Sequence, residues 1–477
     1  MRYRGHQSAE FLRRFGFLSL LALLFTLPFA VPALWDVVRV RMGQEPGGFI
    51  YLLKPVENQY WYLLSGGLTI GFGWVVLSLL HRAKGFPRLH PLTVCVLALL
   101  ACQIVSALNS SAPEFTMKGL LLPLVFYFSF LFTILLRPGS ITTDKTFFLL
   151  LIGAAFISLY AIAQNQGYEI LPYSRTVAGT EEEVTGKQLI ASTFGHPNYM
   201  ASYLAPLLFW AIYFVLAKPT RLLRFTAAVC GFCIIAALVV GGTRGPWLAV
   251  VLTGIPYYLI LTLSPAYRRP LLFTAGLAMF VALVLLLVPN PLVHVQFDIQ
   301  KRLMGSKEIA ARFYYWLMAI EMLKTHPLIG VGYANFDILF WDYVDAFQRQ
   351  PQSEYFRYVL QESIRGVRPG YVHNDHLQIL TETGILGGVA WLSIWSTVLY
   401  QGFRSARLLF RRQRDLLLAA TLLASLICFG VDGLTNFPLH VPVSGLLFWV
   451  SAGFWTALYH RTCCAARVGS SLPSVTT

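Results

Sequence analysis

Three groups of residues in this chain of 477 have side-chain types and spacings suited to chemistry. The first is Arg244, in Gly241-Gly242-Thr243-Arg244-Gly245-Pro246-Trp247, a hairpin so short that the arginine has to stay at a membrane interface. Such an arginine is either an anchor that snorkels to lipid headgroups or an anion ligand on a glycine-bounded turn. Its planar, always charged guanidinium suits two-bonded recognition of phosphate. The second is Arg312, which begins a stretch of helical period running to Lys324. Arg312, Trp316, Ala319 and Leu323 fall on one face of it, and His326-Pro327 with Gly330-Val331-Gly332 ends it in a turn. That helix either lies on a membrane surface or sets Arg312 over a pocket that Arg244 faces. The third is His373-Asn374-Asp375-His376, after Arg368-Pro369-Gly370-Tyr371 and before Leu377 and Glu382-Thr383-Gly384. Asn374 or Asp375 can cap a helix starting here. An imidazole of pKa about 6.5 can take a proton from a hydroxyl at neutral pH. A metal site on His373, Asp375 and His376 is the rival, without a clear fourth ligand, and a structural loop is the third reading.

Three further features complete the polar inventory. His196-Pro197-Asn198 stands at the mouth of an apolar stretch, as a helix cap or as part of a binding site. Asp432 lies near the end of another, with Asn436 and His440 following. It is either a helix-end polar group or a carboxylate that orients an arginine or histidine, or helps deprotonate an acceptor. Glu181-Glu182-Glu183 reads as a solvated loop, although an acidic pair can hold a divalent cation.

The elements that must position these residues are apolar. The chain is 56% hydrophobic and 12% charged, with a mean hydropathy of +0.61. A soluble protein carries about 25% charged residues, so a soluble enzyme is excluded. Twelve stretches have the roughly 20 mostly apolar residues that cross a bilayer: roughly 15–36, 61–80, 91–108, 118–136, 146–164, 199–217, 225–242, 246–264, 270–289, 384–402, 415–435 and 441–459. The first is too long and too interrupted by proline for a cleaved signal peptide and reads as a retained anchor. The expected fold is an all-α polytopic membrane protein of about 12 transmembrane helices.

With the amino terminus inside, the inner loops collect 21 Lys and Arg against three acids, Glu10, Asp144 and Asp415, which leaves 16 basic and 19 acidic residues elsewhere. Both termini are therefore expected to be cytoplasmic, and most of the net charge of +15 is topological rather than a sign of nucleic acid. Residues 290–383 form one long outer connection with nine Lys and Arg and many aromatics; a loop of that length is usually functional and is expected to fold as a cap. The organisation expected is spans one to nine over 1–289 with an outer loop at 165–198, the cap at 290–383, spans ten to twelve over 384–460, and a tail at 461–477. None of the seven cysteines falls in an outer loop, so no structural disulfide is expected. Cys230-x-x-Cys233 lies in an apolar helix and reads as two small packing residues.

Several functions lose support. No Gly-x-x-x-x-Gly-Lys-Ser/Thr loop is present, so ATP-driven transport has no signal, and no Asp-x-Asp offers the metal site of a nucleotide-sugar donor. An ion-coupled transporter should place charges near the midplane of two repeated halves, whereas the polar residues here concentrate on one side. That points to an enzyme at the outer leaflet that takes a lipid-anchored substrate.

The ordered set of motifs resembles the O-antigen ligase and polymerase superfamily. It comprises Thr243-Arg244-Gly245-x-Trp247, Arg312-x3-Trp316, His326-Pro-Leu-x-Gly330-x-Gly332, His373-Asn374-x-x-Leu377, Glu382-x-Gly384 and His196-Pro-Asn198, with the likeness strongest over about 185–400. The resemblance implies a metal-independent GT-C-type glycosyltransferase, without cofactor, in the bacterial inner membrane with a periplasmic active site. It would move a glycan from undecaprenyl diphosphate to lipid A–core or another glycan acceptor. The family's essential arginines fall on Arg244 and Arg312, its histidine on His373 and a supporting carboxylate on Asp432. Asn374, His376, His196, Asn198 and Trp316 complete the expected substrate-binding set. A polymerase or a protein O-oligosaccharyltransferase would share the donor, and a lipid-linked glycan flippase is the reading from a different class. The expected partners are thus the lipid-linked donor, the acceptor and membrane lipids, with no nucleic acid.

Overall fold

A computed structural model describes residues 2–30, 59–68, 71, 90–168, 190–217, 220–262, 265, 267–269, 307–349, 369–409 and 412–470. All regular structure among them is helical. Eight helices are long and apolar enough to cross a membrane, and they coincide with eight of the expected stretches, from 91–108 to 415–435. Arg14–Phe29 is a shorter apolar helix, and 441–459 lies inside Pro442–Ser470. The expected span 270–289, most of 61–80, Glu181-Glu182-Glu183, and residues 290–306 and 350–368 of the expected cap, with Arg368 among them, lie outside the described residues.

We number the helices α1 (Arg2–Thr26), α2 (Pro91–Leu108), α3 (Pro113–Leu136), α4 (Ser140–Asn165), α5 (Pro197–Leu204), α6 (Leu207–Ala217), α7 (Arg221–Gly241) and α8 (Arg244–Thr262). The remainder are α9 (Lys307–Thr325), α10 (Phe336–Gln348), α11 (Asp375–Leu409), α12 (Gln413–Asp432) and α13 (Pro442–Ser470).

The outer spans bury one stripe and expose another that is also apolar, as a helix facing lipid must, whereas Pro197–Ala217 is buried almost all round. In α7 the buried stripe is Ala227, Cys230, Ile234, Ala237 and Leu238, whereas Leu222, Phe225 and Phe232 are exposed. Small residues let this helix approach α6, with Gly231 directly against the methyl group of Ala211. Both cysteines of the Cys230-x-x-Cys233 pair are free and buried in this stripe. Ser129, Thr133, Ser158 and Thr421 return their hydroxyls to the carbonyl four residues back, which satisfies donors where no water reaches. At one end of the bundle Asp144 accepts from Tyr213 at 2.7 Å and from Arg414 at 3.1 Å, joining α4, α6 and α12. The polar motifs gather at the other end.

A second apolar cluster stands apart from the main core. It joins Tyr314, Tyr315, Met318 and Met322 of α9 to Phe336 and Phe340 of α10, with Val331 and Val372. The buried face of α9 is set one residue away from the expected alignment. Ala319 is buried, but Arg312, Trp316 and Leu323 border the cluster rather than fill it, because the tyrosines and methionines supply the packing volume.

The end of α9 is joined to α11 backbone to backbone. α11 breaks at Gly384, which has φ +66°. There Val331 N–H donates to Thr381 O at 3.1 Å, Ile385 N–H to Pro327 O at 2.8 Å and Leu386 N–H to Leu328 O at 3.2 Å. Gly330 has φ +74°, and a Cβ on it would overlap the backbone of Glu382 and Thr383; one on Gly384 would overlap Leu328 and Ile329. Gly330→Ala is therefore expected to destabilise the protein by about 1–3 kcal/mol from backbone strain alone. Gly254, where an added Cβ meets nothing within 4 Å, should tolerate alanine without loss. Thermal unfolding of both variants in detergent checks this, and equal melting temperatures would contradict it.

Candidate functional site

His373 sits in the short connection that leads into α11, and its backbone is unusual. Its φ of +57° lies in the left-handed region, which a residue with a Cβ occupies only when its surroundings hold it. The connection is held on both sides. Val372 N–H donates to Gln378 Oε1 at 2.6 Å, Gly370 N–H to Asp337 Oδ1 at 3.1 Å, and Asn374 Oδ1 accepts from Leu377 N–H at 3.0 Å as the cap of α11. Gln378 then donates to Glu382 Oε1 at 2.6 Å, so a buried glutamine ties the His373 loop to the helix break.

The imidazole of His373 lies between two aromatic rings. It stacks over Tyr315 of α9 with centroids 5.6 Å apart and meets the edge of Phe437 at 4.8 Å and 90°. Its Nδ1 is buried and has no hydrogen-bond partner. Burial, the charge of Arg312 and that of His196 all oppose a positive ring, and the pKa falls from the ordinary imidazole value to about 3. The group is thus a neutral imidazole across the physiological range.

Asp432 ends α12 and is 1% exposed. Ser202 and Asn436 lie close to its carboxylate, and Arg312 is near enough to act on its charge. A Cβ on Gly245 would lie 3.2 Å from Asp432 Oδ1 and 2.8 Å from Thr435 Oγ1. Only glycine lets the Arg244 turn approach the carboxylate this closely. That turn is rigid: Gly242 takes φ +62°, and the indole of Trp247 donates to Leu238 O at 3.2 Å. Arg244 itself is exposed at the first position of α8, and Thr243 Oγ1 is buried without a partner.

The expected residues therefore divide. His373, Arg312, His196 and Asp432 are brought together electrostatically, and Arg244 opens the helix whose next residue touches Asp432. Trp316 borders the cluster with its Nε1 buried and unpartnered. His196 caps α5 through Nδ1, which accepts from Asn198 N–H at 3.1 Å, and Asn198 lies in that first turn. Asn374 acts as a cap. His376 points elsewhere: Trp391 donates to its Nδ1 at 2.9 Å, so Nε2 carries the proton and donates to Gly430 O at 2.8 Å. Among the described residues, no three His, Cys, Asp or Glu converge as a metal site. The reason in the His373 cluster is direct, since His376 bonds Gly430 and Trp391 while Asp375 turns to His440.

Sequence reading passed over Tyr315, Tyr371, Gln378 and Phe437. Tyr371 stacks on Phe437 at 4.5 Å, and its hydroxyl is pushed up by burial among Tyr199 and Glu382. It also passed over the pairing of Asp375 with His440, Oδ1 to Nδ1 at 2.6 Å. Burial opposes a charge on His440, but the bond to Asp375 and the charges of Asp375 and Glu382 raise its pKa above the ordinary value. The Asp375–His440 contact joins residues far apart in the chain, and no local spacing encodes it.

Residues 229–392 match the family model described as O-antigen ligase. No curated protein matches the chain. The match contains Arg244, Arg312 and His373 and ends before Asp432.

A neutral His373 is open to direct measurement. In an NMR titration of histidine-labelled protein, its ring is expected to stay neutral between about pH 8 and about pH 5 and not to show the ordinary midpoint of about 6.5. A midpoint there would contradict the burial and charge around the ring.

Proposed function

We propose, on the premise that this chain belongs to the O-antigen ligase and polymerase superfamily through its residues 229–392, that it transfers a polysaccharide from undecaprenyl diphosphate to a lipid A–core acceptor. The reaction would take place at the periplasmic face of the inner membrane, by metal-independent glycosyl transfer with inversion. The reading is supported chiefly by the neutral His373, whose protonation burial and the charge of Arg312 oppose, near the buried carboxylate of Asp432.

The chemistry follows from these groups. A lipid diphosphate leaves with growing negative charge as the glycosidic bond breaks. Arg312 and Arg244 can stabilise that charge in a site partly closed to water, where such stabilisation is strongest. The acceptor hydroxyl has to lose its proton as it attacks, and a neutral imidazole can accept it. Asp432 would orient an arginine or the acceptor. Attack opposite the leaving group inverts the anomeric centre, and no covalent intermediate on the protein is needed.

A polymerase or a protein O-oligosaccharyltransferase would use the same donor and differ in acceptor. Deletion of the gene followed by a lipopolysaccharide gel separates them. Loss of all O-antigen with lipid-linked polymer accumulating supports the ligase, and core capped by a single repeat unit identifies a polymerase. In the purified protein, Arg244→Ala, Arg312→Ala and His373→Ala should each lower transfer by about 10²-fold or more while membrane insertion is kept. Arg312→Lys should recover little, since an ammonium lacks the planar fork. Near-normal transfer by His373→Ala would remove the base assignment.

A further inference from the structure

One buried carboxylate stands two residues from His373 and does not touch it. Asp375 has no exposed surface, and its N–H and both carboxylate oxygens are committed to the segment that follows α12. Its N–H donates to Gly433 O at 2.8 Å, its Oδ2 accepts from Leu439 N–H at 3.1 Å, and its Oδ1 accepts from His440 Nδ1 at 2.6 Å. Gly433 is pressed against it, with an added Cβ only 3.0 Å from Oδ2. A single residue thus closes both ends of the loop from Gly433 to His440, by its backbone at one end and its carboxylate at the other.

That loop carries the wall of the site. Phe437 at its centre meets the His373 ring edge-on, stacks on Tyr371, and touches Tyr199, which in turn lies against His196 at 5.0 Å. Asp432 directly precedes it, and Thr435 within it faces Gly245. An imidazole held only by ring contacts is placed as well as those rings are placed, because its Nδ1 has no bond to orient it.

We propose that Asp375 and His440 form a positioning pair that sets the His373 ring and the Asp432 helix end through the Gly433–His440 loop. The pair touches neither donor nor acceptor, and the proposal rests on the glycosyltransferase reading of the site. Its charge balance is suited to the role. His440, itself largely buried, is bonded to the buried Asp375, so removing either partner leaves an unpaired polar group inside the bundle.

Two readouts in full-length protein in detergent test it. The first needs no activity: the rate at which diethyl pyrocarbonate modifies His373, read by peptide mass spectrometry. Asp375→Ala and His440→Ala should raise that rate by about tenfold as Phe437 loses its anchor. Asp144→Asn, which removes a buried carboxylate charge at the opposite end, should leave it unchanged. Asp375→Asn keeps an oxygen for Leu439 N–H and serves if the alanine variant does not accumulate. The second readout is transfer kinetics, where both alanine variants should lose about 10²-fold in kcat with donor KM nearly constant. His440→Asn, whose amide can donate to Asp375, should recover most of the loss. Modification rates equal to wild type in both alanine variants, or equal kcat in His440→Asn and His440→Ala, would overturn the pair. Failure of the wild-type protein to transfer any lipid-linked glycan would count against the glycosyltransferase reading instead, and the modification rates would still decide the pair.

Discussion

Where α11 breaks at Gly384, it frees backbone groups that an apolar bundle cannot leave unpaired. The segment after α9 supplies their partners: the carbonyls of Pro327 and Leu328 take the N–H groups of Ile385 and Leu386, and Val331 gives its own to Thr381. The break and the turn therefore require each other, and two glycines with positive φ make the approach sterically possible. This crossing fixes the direction in which α9 leaves α11. The direction in turn brings Tyr315 over the His373 ring and Arg312 within reach of its charge. The turn is also pinned from below. Thr116 donates to Tyr333 O at 2.9 Å, and the amide of Asn335 donates to Ser110 at 2.7 Å. Ser106 donates to the carbonyl of Glu382.

Polar atoms in such a bundle are either consumed by structure or left for something else, and the difference is visible residue by residue. Asp144 is satisfied by Tyr213 and Arg414, His376 by Trp391 and Gly430, and Asp375 by three partners. Around His373 the pattern reverses. His373 Nδ1, Thr243 Oγ1 and Trp316 Nε1 are buried without partners. A cluster of such groups carries a free-energy cost of about 1–3 kcal/mol for each unsatisfied atom. These atoms lie beside the Arg244 turn and α9, and others, among them Ser444 Oγ, Ser451 Oγ and Gln401 Nε2, lie elsewhere in the bundle.

Much of this was legible in the chain. Hydropathy located eight of the twelve expected spans among the described residues, because lipid imposes a length and a composition on every crossing helix, and those constraints are local. The Gly330 and Gly384 signals were visible as glycines near helix ends. What they do to each other was not, since it depends on a crossing of two distant segments. The same limit explains His376. Four residues in a row carried equal chemical promise, and only the packing of α11 against Trp391 and Gly430 separates the half-buried structural histidine from the one in the site. Phe437 carried no signal, and His440 was legible only as a polar residue following Asp432, because the partners of both lie on another helix. The periodicity of α9 was correct in period and one residue out in phase, a difference that only the volumes of Tyr314 and Tyr315 decide.

The formal charge of +15 says little about the substrate, since the topology expected from the sequence assigns its excess to the inner loops. The charge that matters is local. Arg312 and His196 oppose a proton on His373, and no carboxylate is bonded to the ring to offset them. In a catalytic triad that offset comes from an aspartate; here the nearest aspartate in sequence, Asp375, is bonded to His440 instead. On the proposed reading the missing negative charge arrives with the donor. A diphosphate beside Arg312 reverses the sign of the field at the imidazole, so the Coulomb interaction that disfavours its protonated form in the empty site favours it in the complex. Donor binding and the basicity of His373 are then linked quantities, each strengthening the other. The base acquires its strength only when the group that must leave is already in place.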